Sequence, residues 1–378
     1  MTIKYYSPTK VVFGVGSLRE LGSYVRELGS RAYVLFSRSF ARRYGYVKLI
    51  RELLEGEGVK VGTYEGIKPN PPVSQCDEVA KEVRDFGTEV VIGFGGGSVI
   101  DAAKAVAVVA VRGGSAADYV LPNLVEGGDA LPIVAIPTTC GTGSEVTRYA
   151  ILTDESRRLK LAMVGSAIIP KVAIVDPEVL KHLPRDMVKW TALDAFSHAI
   201  ESYTSRNSNP LSDSNALLAM RLIVENIVRA CEGDFNSLKE LHIAATLAGL
   251  AINSTGTTAL HALGYYLTTH HGVQHGLANA VLMPYVMDIN LRAINPSKLD
   301  LLATLLGTEG VDGIVRSIKV LNKVLGIPRS IRELGVTEGE LRSYAEVVKT
   351  YRRNLDNNPV VVDDEYLMEV LRRAYEGT

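Results

Sequence analysis

Short runs of branched apolar residues alternate with longer helical patterns through the first half of the chain. Runs that are apolar on both faces are typical of strands buried in a parallel sheet; here they are Arg31–Phe36, Val59–Tyr64, Glu89–Phe94, Leu131–Ile136 and Val172–Val175. Helical patterns lie between them, as at Tyr46–Leu54, Pro72–Phe86 and Val99–Val111. This alternation predicts a parallel sheet covered by helices.

The pattern changes after Pro184, where helical periodicity continues and no convincing strand follows. The predicted helices are Asp186–Tyr203, Ser212–Cys231, Leu238–Asn253, Gly276–Ala293, Val311–Leu325, Glu338–Arg352 and Asp363–Tyr375. Proline cannot continue a helix or strand without a break, so we place a boundary between His182 and Arg185. We therefore predict an α/β domain over residues 1–183 and an all-helical domain over residues 184–378.

Composition narrows the class of protein. At about 100–200 residues per domain, a chain of 378 residues agrees with two domains. Apolar residues make up 47% and charged residues 22%, which excludes a disordered or coiled-coil protein. The net charge of −1 gives no support to nucleic-acid or membrane-surface binding. The apolar run at Val106–Val111 is too short to cross a bilayer, and Met1–Tyr6 has no apolar signal core. We expect a soluble, cytoplasmic protein.

A glycine turn follows one predicted strand and begins the next predicted helix. It consists of Gly95, Gly96, Gly97 and Ser98. Glycines let the backbone approach a phosphate closely, and a helix N-terminus offers free N–H groups and the positive end of the helix dipole. The spacing is not the G-x-G-x-x-G of ordinary dinucleotide-binding folds, so a tight turn without a ligand is an equal alternative.

A second polar turn, Pro137–Glu145, follows the next predicted strand. In open α/β sheets, ligands bind beyond the carboxyl ends of the parallel strands. Two polar turns at that edge together favour a nucleotide site.

Histidines and one aspartate are concentrated in the helical half. Five of the seven histidines lie there in two short segments: His198, His261, His270, His271 and His275. Asp194 and His198 are four residues apart on a predicted helix and therefore share a face. An isolated Asp-x-x-x-His pair is more often an ordinary surface or core pair than a metal site.

The spacing of His261 and His275 requires a break in the chain. Fourteen residues of continuous helix would place them about 21 Å apart, too far to bind one ion. Gly272 and Gly276 suggest that the chain turns back between them. With that break, both histidines, Asp194 and His198 could surround one divalent metal, for which imidazole and carboxylate donors fit Fe, Zn, Co, Ni or Mn.

Several long motifs resemble the iron-containing (group III) alcohol dehydrogenases, a family related in fold to dehydroquinate synthase. The motifs are Gly95-Gly96-Gly97-Ser98-Val99-Ile100-Asp101-Ala102-Ala103-Lys104, Pro137 to Glu145, Asp194-Ala195-Phe196-Ser197-His198-Ala199-Ile200-Glu201, His261-Ala262-Leu263-Gly264 and His275-Gly276. The resemblance covers essentially the whole chain. It implies a Rossmann-like dinucleotide-binding domain followed by an all-helical, metal-binding catalytic domain, with the active site between them, and assembly as a homodimer.

The same resemblance implies roles for particular residues. The implied metal ligands, which bind Fe²⁺, Zn²⁺ or another divalent ion, are Asp194, His198, His261 and His275. The implied cofactor-binding residues are Gly95, Gly96, Gly97, Ser98, Thr138, Thr139, Thr142 and Lys160, with Asp101 supporting the phosphate turn. The implied reaction is hydride transfer between a nicotinamide cofactor and a small primary alcohol or aldehyde.

Three positions depart from the pattern of the family. Tyr265 stands where many members carry a histidine that moves protons, and His270 or His271 is the candidate replacement, His271 being our catalytic candidate. Arg38 stands where many NAD-using members carry an aspartate for the adenosine ribose, which favours NADP(H) over NAD(H). Cys140 replaces a common alanine or serine, and we interpret it as a small buried residue.

Two alternative functions stay open at this point. One is a dehydroquinate synthase-like lyase or a glycerol-1-phosphate dehydrogenase, acting on a phosphorylated polar substrate. Such substrates need several Lys or Arg side chains, and Leu260–Gly272 contains none. The other is a metal-free nucleotide-binding relative, which the four filled ligand positions disfavour.

Overall fold

The computed structural model describes residue 3 and residues 5–378. The chain folds as two units, Tyr6–Pro184 and Arg185–Thr378, the latter also including Tyr5. The division falls one residue after the predicted domain boundary. The domain limits themselves stay a prediction.

The first unit is built around a parallel sheet of six strands in the order β1-β8-β5-β4-β2-β3. Its strands are β1 (Lys10–Phe13), β2 (Arg31–Ser37), β3 (Lys60–Ile67), β4 (Val90–Gly95), β5 (Ile133–Pro137) and β8 (Val172–Val175). A separate antiparallel pair consists of β6 (Tyr149–Asp154) and β7 (Leu159–Val164). The helices of this unit are α1 (Leu21–Leu28), α2 (Phe40–Arg43), α3 (Tyr46–Gly56), α4 (Val73–Asp85) and α5 (Gly97–Arg112).

Central strands of this sheet are buried on both faces, which explains their unbroken apolar sequences. Every residue of β4 and of β5 is buried, because helices cover the sheet. The five predicted strands correspond to β2, β3, β4, β5 and β8, and the predicted fold class is confirmed. The sequence patterns did not predict β1, β6 or β7.

Described residues of the second unit form helices and turns, with no strand. The helices are α6 (Arg185–Thr204), α7 (Pro210–Cys231), α8 (Phe235–Thr255), α9 (Ala259–His270), α10 (His275–Asn290), α11 (Pro296–Leu305), α12 (Gly310–Val324), α13 (Leu341–Val348), α14 (Arg352–Asp356) and α15 (Asp364–Glu376).

One predicted helix is shorter in the structure, and three helices of the second unit were not predicted. The segment predicted as Glu338–Arg352 forms a 3₁₀ turn, then α13, and α14 begins only after Tyr351, whose ψ of 49° interrupts the helical path. Helices α9, α11 and α14 are additional. None of the helices in residues 5–378 is long and apolar enough to cross a membrane.

Candidate metal centre and nucleotide-binding turns

Helix α6 presents Asp194 and His198 on one buried face. The two residues are one turn apart, and every residue from Thr191 to Thr204 is buried. Buried carboxylates and imidazoles need polar partners, because an uncompensated charge is costly away from water. The predicted common face of these two side chains is confirmed.

Helices α9 and α10 return the chain so that His261 and His275 approach each other. Helix α9 ends at His270, and Gly272 then adopts a φ of +66°, a conformation that glycine accepts without strain. Helix α10 begins at His275, so the predicted break is confirmed at Gly272. Gly276 has a different purpose: a Cβ there would lie 1.9 Å from the carbonyl oxygen of Trp190 on α6. It permits a close approach of α6 and α10.

Three of the four predicted ligands converge. Oδ1 of Asp194 lies 3.8 Å from Nε2 of His261 and 3.7 Å from Nε2 of His275. The three donor atoms lie within 4.8 Å of one another. The ring of His198 stacks on that of His261 at 4.5 Å, which places the fourth residue beside the group. One carboxylate and several imidazoles suit a divalent transition metal.

Asn279, which the sequence reasoning missed, contacts the same three donor atoms. Its Nδ2 lies 3.1 Å from Oδ1 of Asp194 and 3.3 Å from Nε2 of each of the two histidines. Gly264 makes room for it, because a Cβ at that position would lie 2.0 Å from Oδ1 of Asn279. The available signal was the spacing: Asn279 follows His275 by four residues and so lies on the same face of α10.

Charges within the group favour an ionised Asp194. Burial alone would favour the neutral acid, but the three imidazoles and the amide of Asn279 outweigh it and hold the pKa of Asp194 below its usual range. Burial also disfavours a charged His261, yet Glu201 and Asp194 raise the pKa of that imidazole. Asp194 is therefore the ionised carboxylate of the group, and a carboxylate beside imidazole nitrogens suits a divalent cation.

The other two histidines of this region lie elsewhere. The ring of His270 stacks on Tyr266 at 4.0 Å. Nε2 of His271 lies 3.1 Å from Oε1 of Glu340. The ring of Tyr265 stacks on that of His275 with 5.5 Å between the ring centroids. The tyrosine that replaces the expected histidine therefore lies beside the ligand group.

The glycine turn and the threonine turn touch each other in the first unit. Gly95 pairs with Pro137 across β4 and β5, and the N–H of Thr138 donates to the carbonyl of Gly95 at 3.0 Å. A Cβ on Gly97 would lie 2.5 Å from Cγ2 of Thr142, so the contact requires glycine. A Cβ on Gly96 would meet Thr139 at 3.2 Å. The predicted meeting of two turns at the carboxyl edge of the sheet is confirmed.

Polar side chains connect this edge to the β6–β7 pair. Ser98 accepts a hydrogen bond from the N–H of Asn70 at 3.1 Å, and Nζ of Lys160 donates to Oδ1 of Asn70 at 2.6 Å. Burial lowers the pKa of Lys160 to about 8, against the opposing charge of Asp101. The sequence reasoning missed Asn70. Its position within Pro69-Asn70-Pro71-Pro72 was the available signal.

Asp101 supports the threonine turn rather than the glycine turn directly. Its carboxylate accepts hydrogen bonds from the hydroxyl of Ser144 and, at 2.9 Å, from the N–H of Ile151. Burial raises its pKa, although Lys104 and Ser144 oppose this. Cys140, in the same turn, is fully buried, as its interpretation as a small buried residue requires.

Two family models together match nearly the whole chain. The iron-containing alcohol dehydrogenase model matches residues 8–177, and the C-terminal model of the Fe-containing alcohol dehydrogenase family matches residues 189–375. The chain belongs to the iron-containing alcohol dehydrogenase family.

Relatives within the iron-containing alcohol dehydrogenases use different cofactors. The chain is 32% identical to the NAD-dependent methanol dehydrogenase of Bacillus methanolicus, over 98% of this chain and 99% of the relative. It is 28% identical to the NADPH-dependent butanol dehydrogenase of Clostridium saccharobutylicum, over 100% and 99%. The solved iron-containing alcohol dehydrogenase of Thermotoga maritima is 34% identical, with a TM-score of 0.89 over 99% of this chain and 100% of that one. Membership of the family therefore leaves the choice of cofactor open.

The arginines after β2 differ in their surroundings. Arg42 forms two hydrogen bonds with Glu65, at 2.9 and 3.0 Å, so its charge is balanced. Arg38 is exposed at the end of β2, and no residue of the described chain forms an ion pair with it.

Proposed function

We propose that this protein is a divalent-metal-dependent, NAD(P)-linked alcohol dehydrogenase or aldehyde reductase that acts on a small primary alcohol or aldehyde. The observation that carries the proposal is the convergence of Asp194, His261 and His275, whose donor atoms lie within 4.8 Å of one another. Membership of the iron-containing alcohol dehydrogenase family supports it.

In this proposal Asp194, His198, His261 and His275 hold the ion, Fe²⁺ or Zn²⁺ or another divalent metal. The donors fit such an ion, since one carboxylate and imidazoles are its usual ligands. A bound divalent ion supplies Lewis acidity that stabilises negative charge on the substrate oxygen. Asp194 contributes the negative charge of the site, and Asn279 donates a hydrogen bond to that carboxylate and so orients it.

The proposed cofactor site lies at the carboxyl edge of the sheet. Gly95, Gly96, Gly97 and Ser98 lead into the N-terminus of α5, where free N–H groups can bind the pyrophosphate. Thr138, Thr139, Thr142 and Lys160 line the same edge, with Asp101 holding the turn between them. We propose NADP(H) as the preferred cofactor because Arg38 offers its guanidinium to a 2′-phosphate.

A cofactor assay tests the proposal directly. Enzyme reconstituted with Fe²⁺ under anaerobic conditions is offered a panel of aldehydes with NADPH or NADH, and nicotinamide absorbance is followed. Oxidation of NADPH or NADH that requires both the aldehyde and the metal supports the proposal. Turnover of only a phosphorylated polyol or a dehydroquinate precursor would favour the alternative function. The absence of Lys and Arg from Leu260–Gly272 argues against that alternative.

We propose His271 as the proton carrier, because it is an imidazole six residues after Tyr265, the position where the resemblance implies a histidine. Its ring contacts Glu340, a carboxylate at the surface of the unit. His271→Ala is expected to alter the pH–rate profile, with little change in metal content. His270→Ala tests the other candidate for the same role. Identical profiles for both variants and the parent enzyme would leave water as the route.

A further inference from the structure

Glu201 is a fully buried carboxylate next to the metal-ligand group, although its own oxygens face away from the ion site. It lies on α6, seven residues after Asp194 and three after His198. Both of its oxygens are occupied by hydrogen bonds to the segment that begins α9. The two oxygens have different partners.

Oε1 of Glu201 accepts three hydrogen bonds. The donors are the N–H of Thr258 at 2.8 Å, its hydroxyl at 2.6 Å and the N–H of His261 at 3.2 Å. Oε2 has one partner, Nδ1 of His261. The three donors to Oε1 therefore hold that oxygen toward Thr258. Oε2 is left to contact the imidazole of His261.

This contact determines which ring nitrogen of His261 carries the proton. A carboxylate oxygen accepts hydrogen bonds and cannot donate one when ionised. Nδ1 must then carry the hydrogen, and in the neutral ring Nε2 keeps its lone pair, toward which Nδ2 of Asn279 points at 3.3 Å. That same Nε2 lies 3.8 Å from Oδ1 of Asp194 and is the atom that belongs to the ligand group.

We propose that Glu201 is a positioning residue for the metal centre: it holds His261 in the Nδ1–H tautomer and aims the Nε2 lone pair at the ion. The inference rests on the proposed function, because it requires that His261 bind metal. A carboxylate that hydrogen-bonds to a metal-binding histidine, without itself touching the ion, raises metal affinity by fixing the orientation and tautomer of the imidazole ring.

The variant Glu201→Gln tests the inference, because its amide has one acceptor oxygen and one NH₂ donor where the carboxylate has two acceptor oxygens. The three donors from Thr258 and His261 hold the carbonyl oxygen of the new side chain at the position of Oε1. The NH₂ group then occupies the position of Oε2 and donates to Nδ1 of His261. Nδ1 of His261 then accepts a hydrogen bond, so the ring proton moves to Nε2. A protonated Nε2 has no lone pair with which to bind the ion.

The measurement is Zn²⁺ affinity, by competition with a chromophoric chelator, on full-length protein freed of metal. We expect Glu201→Gln to weaken binding about 10–100-fold, the usual effect of losing such a partner. Glu340→Gln is the matched control, because Glu340 also contacts a histidine, His271, in the same unit. The control should bind Zn²⁺ as the parent does.

A second readout observes the proton itself. In ¹⁵N-histidine-labelled protein, two-bond ¹H–¹⁵N correlation spectra separate protonated from lone-pair ring nitrogens, and His261→Gln assigns the signal. Metal-free parent protein should show a protonated Nδ1 and a lone-pair Nε2 of His261, whereas metal-free Glu201→Gln should show a protonated Nε2. The parent measurement needs no variant, so the inference stays testable if Glu201→Gln does not fold.

The outcomes separate this inference from the proposed function. Unchanged Zn²⁺ affinity in Glu201→Gln, or a parent His261 without a proton on Nδ1, overturns the role of Glu201 alone, provided that His261→Gln loses Zn²⁺. If His261→Gln itself binds Zn²⁺ as tightly as the parent, the proposed metal site fails and the inference fails with it.

Discussion

His261→Ala and His275→Ala are each expected to abolish tight metal binding and activity while leaving the protein folded. Each variant removes one of the donor atoms that lie within 4.8 Å of one another. Loss of a direct ligand should weaken binding by more than the roughly 10–100-fold typical of an outer partner. Metal content after gel filtration, measured by elemental analysis, checks the result, and circular dichroism checks the fold.

His270→Ala is the control for these two variants. It removes an imidazole from the end of α9, where His270 stacks on Tyr266, away from the ligand group. Metal content should match that of the parent protein. If His261→Ala and His275→Ala both keep full metal content and turnover, the four-residue assignment is wrong.

Arg38→Asp is expected to raise the KM for NADPH steeply and to change the KM for NADH little. The guanidinium of Arg38 is exposed at the end of β2 and can pair with a 2′-phosphate, whereas an aspartate repels that phosphate and can accept hydrogen bonds from ribose hydroxyls. Hydrogen bonds to charged groups have strengths that correspond to a bias of roughly 10–150-fold. Steady-state kinetics with both cofactors measure it.

Arg42→Gln provides the comparison for that experiment. Arg42 lies four residues after Arg38 but is paired with Glu65, so its removal should shift cofactor preference less. Equal kcat/KM for NADPH and NADH in the parent enzyme would refute the preference itself. A small effect of Arg38→Asp in an enzyme that does prefer NADPH would refute the assignment to this residue.

The sheet could be predicted because the sequences of its central strands are apolar at nearly every position, which indicates burial on both faces. β4 and β5 are apolar at every position except glycine and proline, so no partner information is needed to recognise them. The β6–β7 pair could not be recognised in this way. Its strands mix buried and half-buried residues and lack the unbroken apolar run of β4 and β5. Lys160 is a buried charge within β7, whereas a lysine in a sequence usually indicates a solvated position.

The metal ligands could be proposed from sequence because each pair is local. Asp194 and His198 are one helical turn apart, and Gly272 marks the reversal between His261 and His275. Glu201 and Asn279 could not be assigned roles in this way. The contact of Glu201 with Thr258 joins residues 57 positions apart, and that of Asn279 with Asp194 joins residues 85 positions apart. Only folding decides which of these buried polar groups meet.

The single tryptophan of the chain provides an optical reporter of the ligand group. Trp190 lies on α6 one turn before Asp194, and its carbonyl oxygen occupies the space that a side chain at Gly276 would need. The backbone of Trp190 therefore forms the helix contact that adjoins His275. We expect indole fluorescence of the unlabelled protein to respond when the ligand group is filled, by quenching with Fe²⁺ or Co²⁺ and by a spectral shift with Zn²⁺.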